Sequence, residues 1–282
     1  MPETNIKEAN IATTLPGNRL SRLWTAENFK YVPPAFLTLI LLIGQIIYGI
    51  LDSYVYLVVS VATCLITEII LARTVLHTNK NLASAYISGI SIGILIRSNM
   101  VWPYVICALL SIMSKYVLRY KGRHLWNPSN FGVSWMLYMA PLAVAGLSIQ
   151  WGNNLAAMAV IWTLGLVIVN RAKRLHVTVT YVISFCILAW VRSLISHDEF
   201  LAELAPLTGP MYQLFIFFMI TDPPTGVSTR QGRILVVIGV ALVEFVLRLN
   251  GFIYAPFFAL FLVGPICKFF DLRKNAPQLA KK

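Results

Sequence analysis

Residues 84–97 read SAYISGISIGILIR, and residues 209–221 read GPMYQLFIFFMIT. Both runs are apolar, but a helix needs about 20 residues to cross the hydrocarbon layer of a membrane. A helix that ends within that layer leaves backbone carbonyl groups unpaired, which is tolerated only where they line a protein-enclosed cavity or contact a ligand. The two runs therefore predict short helices that border a functional site.

The rest of the chain is equally apolar. Of its 282 residues, 58% are hydrophobic and only 12% are charged, and the mean hydropathy is +0.72. A soluble domain carries about 25% charged residues, so this composition predicts an all-α integral membrane protein with membrane lipid as its surroundings. The four cysteines stand singly, without the spacing of disulfide or metal motifs. We therefore expect no metal site.

Apolar runs bounded by charged residues, proline or glycine predict ten helices. They are placed at 34–51, 54–76, 84–97, 101–119, 131–149, 154–170, 176–195, 209–221, 233–249 and 252–270. Residues 1–33 are then a polar N-terminal segment without a signal peptide, and residues 272–282 are a basic tail. The two five-helix parts between them cover residues 34–149 and 150–271.

The distribution of basic residues predicts the orientation. With the N-terminus inside, 19 of the 23 Lys and Arg residues lie on the inner side. Arg97, Arg192 and Arg248 lie opposite, and Lys115 lies within a helix. Cytoplasmic loops of membrane proteins are rich in Lys and Arg, so we expect a bacterial inner-membrane protein with both termini in the cytoplasm. The net charge of +12 has the same explanation, and no nucleic-acid partner is predicted.

An internal repeat relates the two parts. Residues 115–122 read KYVLRYKG and residues 244–251 read EFVLRLNG, so Val, Leu, Arg and Gly coincide at an offset of 129. In each part a short apolar run precedes this segment and a proline-containing segment follows it. Corresponding interrupted helices are typical of duplicated membrane folds. Because each part has an odd number of spans, the second copy is predicted to be inverted.

Two polar segments carry the candidate site. Residues 122–132 read GRHLWNPSNFG, in which amide and hydroxyl groups alternate with rings that can stack on a flat ligand. The alternative is an ordinary helix N-terminus with an interfacial tryptophan. Residues 219–233 read MITDPPTGVSTRQGR, in which Asp222 ends an apolar run. The alternative is that Asp222 only pairs with Arg230 or Arg233.

These segments, together with residues 84–91, resemble a known family. Gly-Arg-His followed by Asn-Pro, and Thr-Asp-Pro followed by Pro-Thr and by the Gly-Arg pair that starts the next span, are similar to motifs of the D subunit of the Rnf electron-transport complex and the B subunit of the sodium-translocating NADH:quinone reductase. The resemblance runs over about residues 27 to 272. It implies ten helices in two inverted five-helix repeats, similar to ammonium and urea channels.

The resemblance also implies a flavin and other redox or pathway subunits as partners. Members of the family usually carry FMN on the last threonine of a Ser-Gly-Ala-Thr motif after the fifth span, but residues 146–154 contain no threonine. We therefore expect a non-covalent flavin, FMN or riboflavin, or a quinone. The residues expected to line its cavity are Arg97, Asn99, Arg123, Asn127, Asn130, Phe131, Thr221, Asp222 and Thr225.

Other chemistry finds little support in the sequence. The four histidines lie at predicted helix ends without the pairing that haem requires, and nucleotide-binding and hydrolase motifs are absent. We predict no catalytic residue, and at most a non-catalytic or cofactor-carrying subunit of an oxidoreductase.

Two alternatives to this function stay open: a channel or transporter for a small solute or ion, and a membrane anchor. Three ionisable residues, Glu68, Lys115 and Glu244, lie within apolar spans. Two roles are open for them, structural ion pairing and proton transfer.

Overall fold

The computed structural model describes residues 31–275, except 50, 52, 79–81 and 147–154. These residues are mostly helical. The helices are α1 Val32–Tyr48, α2 Tyr54–Val75, α3 Ala83–Leu95, α4 Trp102–Val117, α5 Pro128–Met139, α6 Leu155–Arg171, α7 Leu175–Ser196, α8 Phe200–Leu204, α9 Pro210–Leu214, α10 Arg230–Leu249 and α11 Ala255–Lys274. A 3₁₀ turn spans Ala205–Thr208, and a π-helix, Phe215–Met219, continues α9.

In the part of the chain that the structure describes, three helices are long and apolar enough to cross a membrane. They are α2 and α7, with 22 residues each, and α11, with 20 residues. Four other apolar helices are shorter than a full crossing. The predicted class, an all-α multi-pass membrane protein, is confirmed at this level.

The two short helices lie where the sequence predicts them. Helix α3 has 13 residues, and α9 with the π-helix occupies residues 210–219. The second half of this short helix, predicted over 209–221, is wound as a π-helix. Such wider turns are frequent at functional sites.

The fifth predicted helix, 131–149, ends ten residues too late. Helix α5 has only 12 residues and ends at Met139, because Pro141 has no N–H and disfavours helical geometry at the residue before it. The chain then forms strand β4, Ala145–Gly146, which pairs antiparallel with β1, Ile96–Arg97. A third short helix therefore accompanies the two predicted ones.

Close helix packing depends on glycine in two places. Helix α2 packs against α3 and α4, and α4 packs against α5. A Cβ atom on Gly89 of α3 would lie 2.6 Å from the Cα atom of Val61 on α2, and one on Gly132 of α5 would lie 2.5 Å from the carbonyl oxygen of Cys107 on α4. These glycines allow the backbones to approach as closely as they do.

A buried ionic cluster lies in each half. Lys115 of α4 pairs with Glu68 of α2 at 2.5 Å, and the Tyr116 hydroxyl donates to the same carboxylate at 3.0 Å. In the second half, Glu244 of α10 accepts from Tyr181 of α7 at 2.5 Å and pairs with Arg248 at 3.1 Å. Glu68 and Glu244 are each 1% exposed. Of the two roles predicted for Glu68 and Lys115, ion pairing and proton transfer, the structure shows the ion pair.

Some predictions fall outside the described residues. These are most of the N-terminal segment 1–33, the tail from 276 onwards, and the loop 147–154, in which the flavin-attachment motif is missing. The boundary at residue 150 between the two parts lies within this loop.

Candidate functional site

The first polar segment begins helix α5. Asn127 is the N-cap, and its side-chain oxygen accepts from the backbone N–H of Asn130 at 3.1 Å and from the Ser129 hydroxyl at 2.9 Å. Pro128 follows at the first helical position, where no N–H is needed. The N-cap alternative is therefore correct for the Asn127 side-chain oxygen, which leaves the amide nitrogen of Asn127 for another partner.

Asp222 lies beside Asn127. The Thr225 hydroxyl donates a hydrogen bond to the Asp222 carboxylate at 2.8 Å, and the Asn127 side chain is close enough to lower the pKa of this carboxyl. Asp222 lies in the loop between the π-helix and α10, outside the membrane-spanning helices. The structure thus brings together Asn127, Asp222 and Thr225 from two segments almost a hundred residues apart.

Burial dominates the electrostatics of Asp222. It raises the pKa of this carboxyl to about 6, while the hydrogen bond from Thr225, the positive charge of Arg174 and the Asn127 side chain lower it. The predicted alternative, pairing with Arg230 or Arg233, is wrong within the described residues. Arg233 donates instead to the carbonyl oxygens of Val227 and Ser228, at 3.0 and 2.7 Å.

A cavity of about 350 Å³ lies beside this network. Its polar groups come from Ser84 at the start of α3, from Thr221 and from Asp222, and its walls are mainly apolar and include Phe217 and Phe218. The Thr221 hydroxyl donates to the carbonyl oxygen of Phe217 at 2.6 Å, so only its lone pairs are available to a ligand. A volume of this size is typical of small-molecule pockets.

Asn130 links α5 to α11. Its amide nitrogen donates to the carbonyl oxygen of Phe257 at 3.3 Å, and Ser134 donates to the same oxygen at 3.3 Å. The side-chain oxygen of Asn130 is buried and has no hydrogen-bond partner within the described part of the chain. Asn130 therefore holds two helices together, and one of its acceptors remains unsatisfied.

Phe131 and Trp126 pack against other aromatic rings. The ring of Phe131 lies 5.8 Å from Trp126 and 5.5 Å from Phe261 of α11. The Trp126 indole N–H donates to the carbonyl oxygen of Phe261 at 3.0 Å. This carbonyl lacks its usual helical donor because residue 265, four positions later, is a proline. Neither ring lines the cavity beside Asp222.

Arg97 and Asn99 lie at the other end of α3. Arg97 is in strand β1, opposite Ala145, and the carbonyl oxygen of Asn99 accepts from the Tyr56 hydroxyl at 3.0 Å. Thirteen helical residues separate β1 from the end of α3 that borders the cavity, or about 20 Å at 1.5 Å per residue. The structure does not bring these two residues together with Asp222.

Arg123 lines a second cavity, of about 440 Å³, on the opposite side of the loop 222–229. Arg174, Arg233 and Lys268 line it as well. In the sequence these last three residues are recognisable only as part of the positive inner side, since hydropathy and charge counting do not show which loops converge.

A comparison with curated proteins found a relative that supports the resemblance. The chain is 30% identical over 131 residues to a protein of Cronobacter sakazakii that is named as the D subunit of an ion-translocating oxidoreductase complex. The match covers 46% of this chain and 35% of the relative, so the chain spans about a third of the relative's length in this match. No family model matches the chain. The predicted resemblance to the family of the Rnf D subunit is confirmed over this part of the chain.

Proposed function

We propose that this protein is a membrane component of an Rnf-type electron-transport system. In this role it holds a flavin or a quinone in the cavity beside Asp222 and relays electrons between partner subunits, coupled to cation transport. The name of the Cronobacter relative supports this class of function. The orientation proposed from the charge distribution places both termini in the cytoplasm of a bacterium.

One observation carries the proposal. The Asn127 side chain lies beside Asp222, and these are the central residues of the two polar motifs that resemble the family. Asp222 also lines a cavity of about 350 Å³. The second motif thus borders a small-molecule-sized space and the first motif lies next to it, which favours a binding role over helix capping alone.

The lining of this cavity fits a flat ring with one polar edge. Phe217, Phe218 and aliphatic side chains supply apolar contact, and Asp222, Thr221 and Ser84 supply polar groups at one end. The described residues around the cavity include no Lys or Arg, so a ring without a phosphate, such as riboflavin or a quinone, fits better than FMN. A bound flavin or quinone would supply the electron-accepting ring, and Asp222 would hold a proton or a hydrogen bond at its edge.

We also propose the inverted repeat as the architecture of the chain. Helix α2 packs against α4 as α7 packs against α10, and contacts between the halves join α1 to α6 and α5 to α11. These last pairs are corresponding helices, as expected around a twofold axis. Gly122 and Gly251, which match at the offset of 129, both adopt a left-handed conformation with φ of +76° and +79°.

Spectroscopy of the purified protein tests the function. We expect protein in mild detergent to release flavin or quinone on denaturation, detected by absorption, fluorescence and chromatography of the extract. Asp222→Asn and Asn127→Ala should lower the amount bound per protein. Asn250→Ala, which changes an exposed residue at the end of α10, serves as the control. Protein that releases neither compound, even after growth with excess riboflavin, contradicts the proposal.

A solute channel or transporter is the second candidate. The short helix of residues 210–219, which ends as a π-helix, and the open cavity next to it favour this function. In liposomes, a solute flux that Asp222→Asn changes would support it. Flux that is the same for wild type and variant, in protein that also carries a pigment, would support the redox function instead.

A further inference from the structure

The second cavity is surrounded by converging cations. Arg123 comes from the hairpin of β2 (Arg119–Tyr120) and β3 (Arg123–His124), Arg174 from the N-terminus of α7, Arg233 from the first turn of α10, and Lys268 from α11. Four separate elements thus bring positive charge to one space of about 440 Å³.

Backbone carbonyls, rather than carboxylates, hold three of these cations. Lys268 donates to the Gly226 carbonyl oxygen at 2.6 Å, Arg233 to those of Val227 and Ser228, and Arg174 to that of Pro223 at 3.5 Å. Within the described ranges, none of the four cations belongs to an ion pair. Guanidinium groups carry five donors each, so donors remain for a ligand.

Asp271 is the acidic residue in the cavity lining, and neutral groups occupy its oxygens. It accepts from the Ser228 backbone N–H at 3.1 Å, from the Ser228 hydroxyl at 2.6 Å and from the Asn275 amide at 3.0 Å. Four cations and one carboxylate leave the lining with an excess of positive charge. Asp222, on the other side of the loop, reduces this excess without removing it.

Burial makes one of these charges costly without an anion. Lys268 is only 2% exposed, whereas Arg174 and Arg233 are half-buried and Arg123 is exposed. A buried charge is unfavourable unless it is paired. The positive-inside distribution explains why these cations lie on one side of the membrane. It does not require that four elements converge on one cavity or that Lys268 be buried. Electrostatic repulsion is also evident at Arg174, where burial and then the neighbouring Arg233 lower the pKa.

Other features of the cavity suit an oxyanion. The N-terminus of the 20-residue helix α10 lies at its edge, with Thr229 as the N-cap and Ser228 beside it, and such helix ends carry partial positive charge. Gly226 leaves room for Arg174, since a Cβ atom there would lie 2.8 Å from a guanidinium nitrogen. Arginine is suited to phosphate because two of its N–H groups can bind two oxygens at once.

We propose that this cavity binds the phosphate group of a ligand, either a phospholipid headgroup or a soluble phosphate ester. This site lies across the loop 222–229 from the flavin or quinone cavity and is independent of whether that cavity holds a cofactor. A bound phosphate would offset part of the excess positive charge of Arg123, Arg174, Arg233 and Lys268.

Thermal unfolding and binding measurements test this inference. The whole protein in neutral detergent is titrated with inorganic phosphate against sodium chloride of equal ionic strength. In a second arm the protein is reconstituted with phosphatidylglycerol or with phosphatidylcholine alone. Stabilisation by inorganic phosphate indicates a soluble phosphate ester, and stabilisation by phosphatidylglycerol alone indicates a lipid headgroup.

Variants separate a built site from general charge attraction. We expect Arg123→Gln and Arg174→Gln each to weaken binding about tenfold, the size of one charge-assisted hydrogen bond. Arg273→Gln, which removes an exposed cation from the same helix as Lys268, should leave binding unchanged. No stabilisation in either arm, or equal weakening by all three substitutions, overturns the proposal.

Discussion

Asp222 combines contacts that a hydrated surface carboxylate lacks. It accepts a hydrogen bond from Thr225 and has the Asn127 side chain beside it, and it lies between a mainly apolar cavity and a group of cations. Because burial holds its pKa at about 6, the carboxyl can exchange a proton near neutral pH. This is the property that a residue at the edge of a redox-active ring requires.

The raised pKa of Asp222 predicts a pH dependence of stability. An unfolded aspartate titrates near 3.9, so the folded state binds this proton more tightly, and its contribution to stability falls as the pH rises from about 4 to above 6. Asp222→Asn removes this dependence. We expect the melting temperature of the variant relative to wild type to be higher at pH 7.5 than at pH 5. Parallel curves over this range would contradict the assignment.

The buried pair of Lys115 and Glu68 predicts a large effect of removing one partner. Lys115→Met leaves the Glu68 carboxylate buried with only the Tyr116 hydroxyl as a partner, which should cost about 3–5 kcal/mol of unfolding free energy. The double variant Glu68→Gln with Lys115→Met removes both charges and should recover most of the loss. Thermal unfolding in detergent measures both. A single variant as stable as wild type would show that Glu68 is neutral when folded.

At the scale of elements, the sequence predicts the short helices well because charged or proline-containing segments bound them. Arg97 ends one run and Asp222 ends the other. The early end of α5 is missed because residues 140–149 are apolar, and hydropathy outweighs the one contrary signal, Pro141. Winding of Phe215–Met219 as a π-helix has no counterpart in the sequence pattern, since it depends on packing against α6 and α7.

The crossing of α4 and α5 predicts that Gly132 cannot carry a side chain. In Gly132→Ala the methyl group would meet the Ser111 hydroxyl and the Cys107 carbonyl oxygen. Overpacking of this kind costs about 1–3 kcal/mol, and separating α4 from α5 also strains the Asn127 cap. Gly264→Ala is the matched control, because its nearest contact there is 3.5 Å. Equal melting temperatures for the two variants would show that the helices can move apart freely.

At the scale of the molecule, the candidate site is only partly predictable from the sequence. The motifs place Asn127 and Asp222 among the residues expected at one cavity, and the structure shows the two side by side. The role of Lys268 does not follow from the sequence, because a lysine near a helix end is ordinarily an anchor at the membrane surface. The short run that ends at Arg97 and Asn99 suggests that they belong to the site, but the two ends of α3 lie far apart.

The orientation of the whole molecule gives a separate prediction. Single cysteines at Ser228 and at Asp198, in a variant whose four native cysteines are replaced, should react differently with a membrane-impermeant thiol reagent in intact cells. We expect labelling at position 198 only, because the basic face containing Ser228 is predicted to be cytoplasmic. Labelling at 228 and protection at 198 would invert the proposed topology.

The bond between the Trp126 indole and the Phe261 carbonyl has a consequence for how this chain can evolve. That carbonyl is available because Pro265 donates no hydrogen bond to it. If another residue replaces Pro265, its backbone N–H can bond to the Phe261 carbonyl oxygen and compete with the Trp126 indole. If Trp126 is replaced while Pro265 stays, the Phe261 carbonyl oxygen is left without a donor. The two positions, 139 residues apart, are therefore epistatic, and across descendants of this sequence they should be inherited or exchanged as a pair.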